Sequence, residues 1–264
     1  MKWSRILLAS LAVLLAVIVL VWFLPARLAM GMLQSRLHGL QLEGVGGLLW
    51  QGHADRVVAS DGRELGRAQW TLSRRALLGD IRLELDLEQP QLHFHGFMQR
   101  ISDTEIDWHD VQLHVDTALF DQSPLGQQPL LRGNRPRGTL DIGVAQAQLQ
   151  GNWPMQLDAT AQWHDAAIQT PQGILSLGQL NLEAASRSGV LQANLSDDGS
   201  GPLQVAGQLS LSPLGWRYTV TLEPRRDDPL LHRWLASLGK PGPDGTVHLQ
   251  GHGGLASPTS STEQ

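Results

Sequence analysis

The stretch Leu203-Gln-Val-Ala-Gly-Gln-Leu-Ser-Leu211 decides the fold class, because its apolar residues recur at every second position. Successive side chains of a strand point to opposite faces, so this period predicts a β-strand with one apolar and one polar face. A turn signal, Pro213-Leu-Gly215, follows it, and the alternation resumes from Trp216 to Glu223. The two segments together predict an antiparallel hairpin, since strands that are polar on one face are typical of antiparallel sheets.

The same period recurs from about Gly44 to Gly253, with clear examples at 82–88, 92–95 and 155–163. The pattern changes phase near Gly178 and again between Trp108 and Val111, which predicts β-bulges. The apolar residues expected to be buried together are Leu85, Leu87, Phe94, Leu209, Trp216 and Val220.

Helical signals are few: a segment from Ala26 to Leu37, and a helix that starts at Pro229 and stops before Gly239. Two short helices cannot cover a sheet of this size, so its apolar face must be covered by the sheet itself. The sequence therefore predicts an all-β domain. We expect a strongly twisted or curled, mostly antiparallel sheet, either a sandwich or an incomplete barrel, preceded by one transmembrane helix.

An uncharged run of 19 residues lies near the N-terminus, from Ile6 to Leu24. As a helix it would span roughly 28 Å, close to the hydrocarbon thickness of a bilayer. The run exceeds the apolar core of a secretory signal, and only a poor cleavage site, Ala29-Met30-Gly31, follows it, so we expect a retained membrane anchor. The anchor residues are Ile6, Leu7, Leu8, Leu11, Leu14, Leu15, Val17, Ile18, Leu20, Val21, Trp22, Phe23 and Leu24.

The charges around this run predict the orientation and the division of the chain. Lys2 and Arg5 precede it, which favours a cytoplasmic N-terminus and a remainder on the other side of the membrane, which is the periplasm if the source is a Gram-negative bacterium. We expect a cytoplasmic end and anchor at 1–27, a helical connector at 28–43, a periplasmic β-domain at 44–255 and a disordered tail at 256–264.

Composition excludes several classes of function. Beyond Lys2 and Arg5 the chain has 18 basic and 25 acidic residues and no basic cluster, so nucleic acid is not expected as a partner. The acidic balance also argues against tight docking on an anionic membrane surface. The chain has no cysteine, which excludes disulfides and thiolate chemistry.

Candidate catalytic groups have simpler explanations. Two or three of four histidines could ligate a metal: His93, His95, His109 and His114. However, all four occupy polar strand positions where any hydrophilic residue fits. The acidic rows at 84–88 and 103–107 alternate as solvated strand faces do. There is no Gly-x-Ser-x-Gly elbow and no phosphate loop. We therefore expect no enzyme activity, no cofactor, no metal and no small-molecule substrate.

The order of several motifs resembles one family. The segment Gly44-Val-Gly-Gly-Leu-Leu-Trp-Gln-Gly-His-Ala54 comes first, then Arg137-Gly-Thr-Leu-Asp-Ile-Gly143 with Trp153 and Trp163, and finally Leu238–Leu255. With a single N-terminal anchor before them, these motifs resemble the type II secretion system protein N family. The resemblance covers nearly the whole chain and carries over no catalytic residue.

That resemblance implies a single-pass inner-membrane component of the bacterial type II secretion apparatus, which exports folded proteins. Its implied partners are other secretion subunits, in the inner-membrane platform or the outer-membrane channel. We expect contacts at the strand edges and around Trp50 and Trp153. The chain is also similar in part to AsmA-like periplasmic proteins, whose curled sheets form an apolar lipid groove, so lipid binding or transport is the alternative.

Overall fold

This computed structural model describes residues 22–33, 39–60, 62–122 and 134–254. The chain divides into two compact units, the first ending at Gln89 and the second beginning at Pro90. Every strand pairing within each unit is antiparallel. The prediction of an all-β fold built on a mostly antiparallel, twisted sheet is confirmed.

The first unit is a small sheet with one short helix beside it. Its elements are helix α1 (Ala26–Leu33), strands β1 (Gln41–Glu43), β2 (Gly46–Leu48), β3 (Gln51–Val58), β4 (Glu64–Leu72) and β5 (Arg82–Gln89), and a 3-10 helix (Arg74–Leu78). Strand β3 pairs with β1, β2 and β4, and β4 pairs with β5. Its core consists of Ala26, Val45, Ala54, Val57, Ala68 and Trp70.

The second unit is a meander in which each strand pairs with the next along the chain. Its strands are β6 (Leu92–Arg100), β7 (Glu105–Asp116), β8 (Arg135–Gln150), β9 (Trp153–Thr170), β10 (Gly173–Arg187), β11 (Val190–Asp197), β12 (Leu203–Ser212), β13 (Gly215–Pro224) and β14 (Val247–Gly254). A 3-10 helix (Thr117–Gln122) follows β7, and helix α2 (Pro229–Leu238) lies between β13 and β14.

Both predicted phase changes are irregularities of the sheet. The β9–β10 register shifts on either side of Gly178, whose φ of +95° suits glycine. A Cβ at Gly178 would lie 2.6 Å from the Cα of Gly201, so this bulge also brings two backbones together. The β6–β7 register shifts between His95 and Phe97, opposite Asp110, which has a φ of +52°. The bulge predictions at both places are confirmed.

Helix α2 covers one end of the apolar face of the second unit. Asp228 caps it by accepting a hydrogen bond from the Leu230 N–H at 2.8 Å, and Pro229 occupies its first turn, as its sequence predicts. Leu231 and Leu235 are fully buried. They pack with the remainder of the core, which is Ala166, Ile168, Leu175, Leu177, Leu203, Val205, Leu222 and Val247.

The prediction of one shared core for the six apolar residues is wrong. Leu209 is 37% exposed and Trp216 is 40% exposed, although the β12–β13 register puts both on the same face as buried Leu203 and Val205. Alternation predicts which face a side chain points to, but burial requires a covering element. Helix α2 reaches Leu203 and Val205, and no described element covers the strand ends near the turn at 213–214. Leu85 and Leu87 instead pack against the core of the first unit.

The N-terminal predictions fall largely outside the described residues. Of the anchor, only Trp22, Phe23 and Leu24 lie within them, and Trp22 and Phe23 are exposed. Among the described residues, no helix combines the length and the apolar character needed to cross a membrane. The proposed connector at 28–43 begins within α1 and ends in β1, while the proposed tail lies outside the described part.

Candidate functional site

A continuous row of apolar residues crosses the second unit from its first strand to its last. The register places one member on each strand, opposite its neighbours, from Phe94 on β6 to Leu249 on β14. We call these nine residues the apolar row: Phe94, Leu113, Ile142, Ala161, Leu182, Leu195, Gly207, Val220 and Leu249.

The apolar row is only partly covered. Leu195, Val220 and Leu249 pack against the core that contains α2, but none of the nine members is fully buried, and Leu182 on the central strand is 36% exposed. Leu209 and Trp216 continue the same face toward the turn at 213–214 and are exposed as well. An apolar surface that remains in contact with water is a common feature of binding sites. The row is therefore the strongest candidate binding surface in this unit.

The four histidines considered for metal binding are distributed over separate contacts. His93 lies opposite His114 across β6–β7. His114 hydrogen-bonds through Nδ1 to Asp141, whose other oxygen lies 3.1 Å from Nε2 of His164. His109 stacks on Phe97, with ring centroids 5.5 Å apart, and Phe97 meets His95 edge to face. The sheet thus brings a carboxylate between two imidazoles, a pairing that the spacing in the sequence did not reveal.

The two acidic rows also serve strand faces. Glu84, Asp86 and Glu88 lie opposite Thr71, Gln69 and Arg67 on β4. In the second row, Gln148 donates a hydrogen bond to Glu105, and Asp103 pairs with Arg100. Each of these contacts is an ordinary cross-strand or turn interaction.

A buried carboxylate fixes the end of β11 in the second unit. Asp197 lies 2.5 Å from Nη1 of Arg225 and accepts hydrogen bonds at 2.8 Å from the N–H groups of Val205 and Gly199. Burial favours a higher pKa for the Asp197 carboxyl, but the Arg225 hydrogen bond and the two N–H donors together hold that pKa below its usual value. This site is a structural clamp beside the apolar face.

A second clamp joins the 3-10 helix at 117–122 to the sheet. The Arg137 guanidinium donates two hydrogen bonds, of 2.8 and 3.0 Å, to the Asp121 carboxylate and also donates to Gln169. The hydrogen bond from Arg137 lowers the pKa of Asp121. A bidentate pair of this kind fixes the orientation of both side chains.

The two tryptophans predicted as contact residues occupy different environments. Trp50 is only 4% exposed, so a partner would meet the surface around it rather than its ring. Trp153 is half-buried, and its Nε1 donates a 2.9 Å hydrogen bond to the Gly189 carbonyl. A contact role for either residue remains a prediction.

Strand β14 forms an edge of the described sheet. It pairs with β13 along its whole length, from Val247 to Gly254, and it is the last strand in the sheet order. An edge strand offers unpaired backbone groups to another strand. This edge and the apolar row are the two features of the second unit suited to a partner.

A family model for type II secretion system (T2SS) protein N matches residues 38–250, which include all but a few of the strand residues of both units. The chain belongs to this family. The resemblance seen in the motifs is therefore confirmed.

Individual relatives agree with the family match. The chain is 29% identical to a type II secretion system protein N of Klebsiella pneumoniae over 90% of its length and 92% of the relative's. It is 28% identical to one of Aeromonas hydrophila over 95% and 98% of the two lengths, and 28% identical to one of Vibrio cholerae over 72% and 73%. No solved structure matches the chain significantly.

Proposed function

We propose that this member of the T2SS protein N family is a non-enzymatic, single-pass component of the bacterial inner membrane, with its β-domain in the periplasm. The apolar run Ile6–Leu24 supports the anchor, and the family membership supports a role in type II secretion. The domain acts through contacts with other secretion subunits, in the inner-membrane platform or the outer-membrane channel.

The edge strand β14 is the observation that carries the contact role. A partner strand that pairs with β14 would extend the sheet and satisfy the backbone groups that face away from β13. Pairing of this kind uses backbone groups, so it requires no catalytic side chain. The surfaces around Trp50 and Trp153 are the further candidates.

Site-specific photo-crosslinking in cells that assemble the secretion system tests this contact. A photoreactive residue in place of Gln250, which is exposed on β14, is expected to crosslink to another secretion subunit. Gln192 is the matched control, because it is an exposed glutamine on β11, which has a partner strand on both sides. Equal crosslinking at both positions, or none at Gln250, would contradict a contact at this edge.

The apolar row favours a second function, which is binding of a lipid acyl chain. The exposed Leu182 and the half-buried members of the row would lose contact with water if an acyl chain lay across the strands, and about 25 cal/mol per Å² of apolar surface would be gained. The partial similarity to AsmA-like proteins, whose curled sheets form an apolar groove, supports this second function.

Native mass spectrometry of the purified chain distinguishes the two functions. A lipid carrier is expected to retain phospholipid in stoichiometric amount and to lose it in a Leu182→Asn variant that stays folded. Retained phospholipid without any crosslink to secretion subunits would overturn the contact role. A lipid-free chain that crosslinks through β14 would overturn the lipid role.

A further inference from the structure

The 3-10 helix of the first unit, with the sequence Arg74-Arg-Ala-Leu-Leu78, presents an unusual surface. Leu77 is 61% exposed and Leu78 is 88% exposed. The turn is well fixed, because the Ser73 hydroxyl accepts a hydrogen bond from the Arg75 N–H, and Gly79 ends it with a φ of 92°. The conformation of the turn therefore keeps the side chains of two adjacent leucines exposed to solvent.

The charge around these leucines is positive. The segment from Ser73 to Arg82 contains three arginines and one acidic residue, Asp80. Asp80 lies 3.0 Å from Nε of Arg82 and 4.0 Å from Nη1 of Arg75, so a single carboxylate serves two guanidinium groups. The chain as a whole has a net negative charge, so its composition does not indicate this locally positive segment.

The turn also lies beside the end of the apolar run. The guanidinium of Arg74 is 4.2 Å from the ring centroid of Trp22, which is a cation–π contact. The chain just beyond Trp22 is fixed to the same sheet, since the Leu24 carbonyl accepts a 2.9 Å hydrogen bond from the Leu49 N–H. The leucines at 77–78 therefore lie close to the point where the apolar run ends.

We infer that the 3-10 helix Arg74–Leu78 is a second membrane contact, with Leu77 and Leu78 inserted among the headgroups of anionic phospholipids. Exposed leucines flanked by arginines are typical of segments that lie in the interface, and tryptophan is enriched at that depth. The guanidinium groups of Arg74 and Arg75 complement lipid phosphates. The first unit would then rest on the bilayer that the proposed anchor enters, so this inference rests on that anchor.

Labelling of single cysteines tests the contact, because the chain has no cysteine of its own. The full-length chain with Leu78→Cys carries an environment-sensitive fluorophore and is reconstituted in nanodiscs that contain anionic phospholipid. We expect a blue-shifted emission, with stronger quenching by nitroxide lipids labelled near the headgroup than by those labelled at the chain end. Replacing both Arg74 and Arg75 by Glu in the same background is expected to reduce the quenching.

Two further labels make the outcome decisive. Ile101→Cys is the matched control, because Ile101 is 53% exposed on the turn between β6 and β7. A Leu78 label that behaves like the Ile101 label overturns the contact. Leu14→Cys, within the apolar run, tests the anchor separately, since its label should be quenched best from the chain ends. Quenching at Leu14 but not at Leu78 overturns the second contact alone, and no quenching at Leu14 overturns the anchor.

Discussion

At the residue scale, Asp197 gives the clearest dependence on pH. Its carboxyl is held charged by Arg225 and by two backbone donors, so its pKa in the folded chain lies below the unfolded value of about 3.9. The stability from this clamp is therefore present above about pH 3.9 and is lost as the pH falls through the folded pKa. Asp197→Asn is expected to lower the free energy of unfolding at neutral pH by roughly 1–3 kcal/mol.

Urea unfolding of both chains between pH 3 and 7 measures this effect. The difference between the native chain and the Asn variant should shrink on the acid side. Asp227→Asn is the control, since the Asp227 side chain is 96% exposed. A difference that stays constant over the whole pH range would show that the clamp does not depend on the charge of Asp197.

Two histidines test whether the chain has a chemical role. Replacing His93 and His95 together by Gln is expected to leave secretion unchanged, because His93 lies on a polar strand face and His95 contacts an aromatic ring there. Export of a secreted enzyme from cells that carry the double variant is the measurement, with the amount of folded chain as control. Loss of secretion by a folded variant would restore a chemical role.

At the element scale, helix α2 determines which part of the apolar face is core. Leu235, which belongs to this helix and packs into the core, is fully buried, whereas Leu209 on β12 is 37% exposed. Leu235→Ala is expected to cost about 2–5 kcal/mol, since it leaves a cavity. Leu209→Ala should cost clearly less, and thermal or urea unfolding of the two variants compares them directly. Equal costs would mean that the outer part of the face is covered in solution.

The strands and bulges of the second unit were predictable, because alternation and phase are local properties of the sequence. The bulge at Gly178 and the helix at 229–238 follow from a glycine, a proline and the apolar period around them. Burial was not predictable in the same way. Leu203 and Leu209 lie on one strand with one parity, and only the position of α2 separates them. The clamp between Asp197 and Arg225 joins residues 28 positions apart, so no local pattern indicates it.

The sequence of the turn at 74–78, two arginines followed by Ala-Leu-Leu, is easy to find, but it does not predict whether the leucines are exposed. The same five residues would also suit a buried helical turn. Their neighbour Trp22 is more than fifty residues away in the sequence, so the juxtaposition appears only in the folded unit.

At the scale of the whole molecule, the proposed topology makes a direct prediction. Lys2 and Arg5 should lie in the cytoplasm and the β-domain in the periplasm, because basic residues precede the apolar run. Alkaline phosphatase fused after Leu255 is expected to be active, and β-galactosidase fused there inactive. The reverse pattern would refute this orientation, and a fusion of each reporter at Arg5 provides the opposite control.

The neighbour-to-neighbour order of β6 to β14 bears on how the second unit assembles as the chain emerges during synthesis. Each newly emerged strand finds its partner in the strand released just before it, so pairing closes short loops and avoids the slow search that distant partners require. Growth of the sheet can thus keep pace with the arrival of the chain. Strand β14 is released last, and it completes the sheet only after the helix that covers its apolar end has emerged.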